Sequence, residues 1–256
     1  LDPSNPTTLL NEHFDKGEKN KPIAIDGWKN IATKGTRAWW NYTFSDTDES
    51  AGEHVAKVTA YDSKVEDGDE TEAEMMLVTP ALNFKDAASK VFTFRVRGDY
   101  LTDEQTDQLE LCYIDLTDGE MYISPVGGFT MPSTKDESGE WFEYHVDLTD
   151  QPIADTFFMA FRFKSTCGRN NAATYYIDDV SFGRTDLPVV RTDVASLAFE
   201  AIKGQDATSD EVTVTTQNLT EPIKLTLGGA NKSKFKLSES ELPAEGGVFT
   251  VRFNSD

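Results

Sequence analysis

The residues best suited to chemistry lie together in Tyr175-Tyr176-Ile177-Asp178-Asp179-Val180-Ser181-Phe182, an apolar, aromatic stretch with two adjacent carboxylates at its centre. A strand sends successive side chains to opposite faces. One of Asp178 and Asp179 is therefore expected to share a face with core-forming neighbours. An unpaired buried carboxylate is very costly, so it needs a cation, a metal or several hydrogen-bond donors. An arginine such as Arg95 or Arg162 could supply the charge.

Signatures of catalysis are sparse. His13, His54 and His145 each sit in a strand-like stretch, none beside a second histidine at metal-ligand spacing. No Gly-x-Ser-x-Gly elbow, His-Glu-x-x-His or phosphate-binding glycine loop occurs. Carboxylate pairs of the kind that cleave glycosides remain open in so acidic a chain, but the expectation is a non-catalytic protein. Aromatics are the other route to function, because an exposed ring offers large apolar area with little flexibility to lose. Trp39-Trp40-Asn41-Tyr42-Thr43-Phe44 is the densest such run, and in a strand Trp39 and Trp40 face opposite ways.

Composition bounds the rest. The chain has 256 residues, 38% of them hydrophobic and 16 of them Phe, enough for a large core. With 45 acidic against 24 basic residues the net charge is −21. That excludes nucleic acid, whose phosphates need Lys and Arg, and disfavours an anionic membrane surface. No run of about 20 apolar residues occurs, so no membrane span is expected. Cys112 and Cys167 fit no metal spacing and read as two separate thiols. The start at Leu1 without Met implies a removed leader or a trimmed chain. Asn41-Tyr42-Thr43, Asn218-Leu219-Thr220 and Asn231-Lys232-Ser233 are formal N-glycosylation sequons.

Strands must position these residues. Val91 to Arg97 alternates, with Phe92, Phe94 and Val96 on one face and Thr93, Arg95 and Arg97 on the other. Leu109–Asp115, Trp141–Leu148 and Phe157–Phe163 follow the same rule, as does His54–Tyr61, while 9–15 and 39–44 read as further strands and 75–80 as a buried strand ended by Pro80. Residues 62–74 form an acidic run that matches an EF-hand poorly and reads as an exposed hairpin loop. No segment keeps a helical period. Aromatics thin out after a linker at 184–190, and five short strands are expected beyond it, at 196–200, 211–216, 223–227, 234–237 and 248–253. The expectation is an all-β chain, with a first domain over 1–184 and an incomplete immunoglobulin-like sandwich over 190–256.

The order of Glu12-His13-Phe14-Asp15, Gly27-Trp28, Trp40, Leu77-Val78-Thr79-Pro80, Leu109-Glu110-Leu111-Cys112-Tyr113, Trp141 to Leu148 and Ile177-Asp178-Asp179-Val180 resembles the MAM-like jelly rolls of bacterial surface proteins, the choice-of-anchor J or cleaved adhesin family, over about residues 9–183. Met75 and Met76 depart from it, standing where relatives often carry an acidic residue and a tryptophan. The later part more loosely resembles immunoglobulin-like repeats of Bacteroidetes-type bacteria. The resemblance implies that the first domain is an antiparallel jelly-roll sandwich, with a structural calcium ion where first and last strands meet, Asp178 as leading ligand, Asp179 second, and Glu12 and Asp15 as partners. It also makes Trp40 the core residue, which leaves Trp39, with Tyr42, as the expected ligand-binding aromatics.

The function expected first is a secreted or cell-surface adhesion protein binding a host or surface protein or glycan. A carbohydrate-binding module for polysaccharide capture is the second reading, and an accessory domain of a secreted hydrolase the third. An exposed aromatic pair beside a groove would favour the second. A cleft with two close carboxylates, one with a raised pKa, would favour the third.

Overall fold

A computed structural model describes residues 1–45, 47–170 and 172–255; Asp46, Asn171 and Asp256 lie outside the described residues. The chain divides into two compact units, Leu1–Arg184 and Thr185–Asp256. Among the described residues there is no α-helix, only the 3-10 turns Lys135–Glu137 and Lys232–Lys234.

The strands of the first unit are β1 (Leu10–Glu12), β2 (Lys29–Lys34), β3 (Trp40–Thr43), β4 (His54–Thr59), β5 (Thr71–Val78), β6 (Leu82–Asn83), β7 (Val91–Asp99), β8 (Gln108–Thr117), β9 (Glu120–Pro125), β10 (Trp141–Asp147), β11 (Thr156–Cys167) and β12 (Thr174–Phe182). One sheet runs β10-β7-β12-β4-β3, with β1 also on β12; the other runs β2-β5-β11-β8-β9, with β6 on β11. All these pairings are antiparallel. The alternating strands account for the sandwich. Phe92, Phe94 and Val96 of β7 and Phe157, Met159, Phe161 and Phe163 of β11 are fully buried in one core. Phe161 meets Phe94 edge to face at 5.1 Å. Each such ring contributes roughly 1.5–3 kcal/mol by burial.

Three strand expectations need correction. The acidic run is not all loop, because β5 begins at Thr71 and pairs Glu74 with Lys164 of β11 and Lys34 of β2. Flanking lysines draw those glutamates into the ladder, and Lys34 Nζ lies 2.8 Å from Glu72. In the second unit the strands are β13 (Val189–Thr192), β14 (Ala207–Thr208), β15 (Val212–Gln217), β16 (Ile223–Lys224), β17 (Phe235–Leu237), β18 (Glu241–Leu242), β19 (Gly246–Phe249) and β20 (Val251–Phe253). They form antiparallel sheets β13-β15-β19, β14-β20-β17 and β16-β18. The linker is therefore shorter than 184–190, since Val189 and Val190 already pair with Gln217 and Thr216. Residues 196–200 are not a strand: Phe199 lends its ring to Phe235 and Phe253, at 5.7 and 6.0 Å, without joining a ladder.

Candidate functional site

Strand β12 resolves its own paradox by a bulge. Tyr175 and Ile177 point into the core, and so do Val180 and Phe182, which strict alternation forbids. The register passes from Asp178↔Arg95 to Ser181↔Thr93, so β12 carries one extra residue. Asp179 adopts φ +50°, a left-handed conformation that Asp tolerates better than most residues. Neither aspartate enters the core. This corrects the expectation from alternation alone.

Asp178 lies on the outer face, 6% exposed. Its Oδ2 accepts from Arg95 Nη2 at 3.1 Å, and its Oδ1 from the Asp179 backbone N–H at 2.8 Å. Burial pushes its carboxyl up to about 6, reinforced by the Asp179 charge and opposed by those two donors. Asp179 lies 2.7 Å from Arg95 Nε and 2.6 Å from His13 Nδ1. Arg95, rather than Arg162, is thus the cation against the pair. Arg162 bonds Glu110 on the other sheet.

The expected calcium ligands do not converge. Glu12 turns back on its own strand end, its Oε1 accepting the Phe14 N–H at 2.7 Å, and Asp15 is exposed. The side chains able to bring ligand atoms within 4.8 Å of one another here are His13, Asp178 and Asp179. Two carboxylates already against a guanidinium, plus one imidazole, supply few of the six to eight oxygens that calcium takes. First strand and last are joined by backbone pairing. Leu10, Asn11 and Glu12 pair with Phe182, Ser181 and Val180, and a Cβ at Gly183 would run into the Thr8 carbonyl oxygen.

The aromatic expectation inverts. Trp39 is wholly buried among core rings, 6.4 Å from Phe161, whereas Trp40 is 39% exposed. Asn30 sets this phase: its side chain accepts the Trp39 N–H at 3.0 Å and donates to the Trp39 carbonyl at 2.8 Å, locking residue 39 just ahead of β3. Trp39 is therefore no ligand contact. Tyr42 does lie on the outer face, 5.5 Å from Tyr176 and 5.3 Å from Phe44.

The registers lay out that face. Trp40 pairs with Lys57, Lys57 with Tyr176, Tyr176 with Arg97, and Arg97 with Trp141. Aromatic and cationic residues thus alternate across five strands. Arg95 stands 4.7 Å over Trp141, Arg97 4.8 Å over Phe44, and Lys57 Nζ 4.4 Å over Tyr42. The β10 side is roofed by the segment after β3. Asp48 holds Arg97 at 3.0 Å, Glu53 holds Arg95 at 3.3 Å, and Ser50 accepts the Trp141 indole N–H at 2.8 Å.

The opposite end is open. There Lys57, Thr59, Tyr61, Tyr100, Ala172 and Thr174 line a depression of about 410 Å³. Tyr61 is 43% exposed and Tyr100 70%. Tyr61 is fixed by its backbone: its carbonyl accepts Arg37 Nη2 at 2.9 Å and its N–H donates to Thr59 Oγ1 at 3.1 Å. Tyr100 has φ +59° between Asp99, which bonds Arg97, and buried Leu101. That left-handed residue turns the ring outward while both neighbours stay anchored. A second depression of about 370 Å³, lined by Asp107, Gln108, Phe129, Met131 and Tyr175 among others, has no exposed ring. Tyr61, Tyr100 and Lys57 belong to no motif, and the one sequence signal of the two tyrosines is their place in polar turns at strand ends.

No family model matches the chain, and no curated protein matches it. Among solved structures it is similar to a carbohydrate-binding module of the β-sandwich superfamily studied for promiscuous specificity, with TM-score 0.40 and 17% identity over 66% of this chain and 59% of that one. It is also similar to the CBM22-1 xylan-binding domain of Paenibacillus barcinonensis Xyn10C, with TM-score 0.35 and 13% identity over 67% and 90%. The family 11 carbohydrate-binding module of the Clostridium thermocellum cellulase Lic26A-Cel5E gives TM-score 0.35 and 8% identity over 70% and 95%. Likeness at this level assigns no ligand to this chain, so function rests on its own geometry.

Proposed function

We propose that the first unit is a non-catalytic carbohydrate-binding module of a secreted or cell-surface protein, and that it takes a sugar chain at the open end of the first sheet's outer face. The observation that carries this reading is the exposed pair Tyr61 and Tyr100 beside the 410 Å³ depression. Sugar rings present flat apolar faces edged by hydroxyls. Two outward tyrosine rings meet the faces, while the Lys57 ammonium and the Thr59 and Thr174 hydroxyls meet the edges. The geometry supports capture over cleavage, because the close carboxylates Asp178 and Asp179 are packed against Arg95 and do not line this depression.

A glycan array probed with the wild-type chain, Tyr61→Ala and Tyr100→Ala tests the reading. At least one glycan class should bind, and each variant should weaken it about tenfold, the roughly 1.4 kcal/mol of a lost stacking ring. Melting temperatures should stay unchanged, since both rings are exposed. Absence of any glycan binding, or binding indifferent to both substitutions, overturns it and leaves protein–protein adhesion as the better reading.

A further inference from the structure

Lys57 stands apart from the two arginines of this face. Arg95 is bonded to Asp178 and Glu53, and Arg97 to Asp48 and Asp99. Lys57 makes no side-chain hydrogen bond and no ion pair among the described residues, although the chain holds 45 acidic residues. Its Nζ stands over two rings, 4.4 Å from the Tyr42 centroid and 5.9 Å from that of Tyr176. Burial holds its pKa below the usual lysine range, and Asp99 offsets this only through space. Asp99 is taken up by Arg97, with Nε 2.8 Å from Oδ1 and Nη2 3.2 Å from Oδ2. The same ammonium lines the open depression with Tyr61 and Tyr100.

A half-buried ammonium without a carboxylate is costly to keep, and cation–π contact returns only part of that cost. An anionic ligand would complete the site. Much of the desolvation of Lys57 is already met by folding, so pairing adds attraction with little further loss of hydration. The net charge of −21 opposes anions at long range. At physiological salt that field fades beyond about 8 Å, so the local cation decides.

We propose that the depression selects an acidic sugar, a uronic acid residue whose carboxylate pairs with Lys57 Nζ while its ring lies against Tyr61 or Tyr100. The proposal rests on the glycan-binding reading above and deepens it. Calorimetric titration of the full chain tests it, with oligogalacturonate, oligoglucuronate and oligoguluronate as probes, their methyl esters as neutral isosteres, and neutral oligosaccharides of the same length. At least one uronate should bind ten times or more tighter than its methyl ester. Lys57→Met, which keeps the apolar stem over Tyr42, should abolish that preference without lowering the melting temperature, and Lys57→Arg should retain part of it. Equal binding of acid and ester, or a preference that survives in Lys57→Met, overturns the acidic-sugar proposal and leaves the glycan-binding reading in place. Binding of neutral oligosaccharides alone does the same. Binding of none of the probes overturns the proposal, and the array decides separately whether the wider reading falls with it.

Discussion

Arg95 Nη2 reaches Asp178 Oδ2 at 3.1 Å across the β7–β12 ladder, where the two residues are register partners. One guanidinium thereby serves a buried carboxylate, the bulged Asp179 beside it and Glu53 from the roofing segment. Arg95→Met strips all three at once. Removing one partner of a buried pair costs about 3–5 kcal/mol, because the remaining charge is left uncompensated. The loss should appear as a lower urea midpoint at pH 7. Arg95→Met/Asp178→Asn should recover most of it, since no buried charge remains. Additive losses in the double variant would show that the pair is not coupled.

Asp178 also makes stability depend on pH with a definite sign. Its carboxyl is raised from 3.8 to about 6, so the folded chain holds this proton more tightly than the unfolded chain does. The stability it contributes is full below about pH 4 and is lost as pH rises through about 6. Asp178→Asn is free of this loss. Relative to wild type, the variant should therefore gain on going from pH 4 to pH 7, by up to about 3 kcal/mol. Taking the difference between the two proteins cancels the many other carboxylates. A difference that stays flat over that range would mean Asp178 is ionised throughout.

Trp39 and Trp40 separate core from surface within one dipeptide. Trp39→Ala empties a fully buried site and should cost about 3–5 kcal/mol. Trp40→Ala, on a ring already 39% exposed, should cost less than about 1 kcal/mol. Denaturant titration of both variants decides the phase, and comparable losses would contradict it.

That phase marks the limit of what the sequence discloses. Alternation in Val91–Arg97 and Phe157–Phe163 is enough to place Phe92, Phe94, Phe161 and Phe163 in a sandwich core, because each strand has one apolar face. Alternation says that Trp39 and Trp40 part company, but not which goes inward. That choice is made by Asn30, nine residues away, gripping the Trp39 backbone. A bulge is equally silent in sequence. Asp178 and Asp179 look equivalent until the extra residue of β12 takes a left-handed turn and frees Val180 and Phe182 to point inward. Tyr61 and Tyr100 become a pair only through tertiary structure, from the ends of β4 and β7, which are not adjacent strands.

Chelation separates ion-held closure from backbone closure. If calcium tied β1 to β12, its removal would withdraw RT ln(1 + [Ca²⁺]/Kd), several kcal/mol for a well-filled site. The structure closes that seam by other means. Leu10, Asn11 and Glu12 pair with Phe182, Ser181 and Val180, Gly183 lets the Thr8 carbonyl approach, and Arg95 already neutralises Asp178. Excess EDTA should therefore leave the melting temperature unchanged, and added calcium should not raise it. A fall of several degrees on chelation, reversed by calcium, would overturn this account. Glu12→Gln and Asp15→Asn would then show whether the ion sits on those two residues, because only variants that remove a ligand would lose the calcium response.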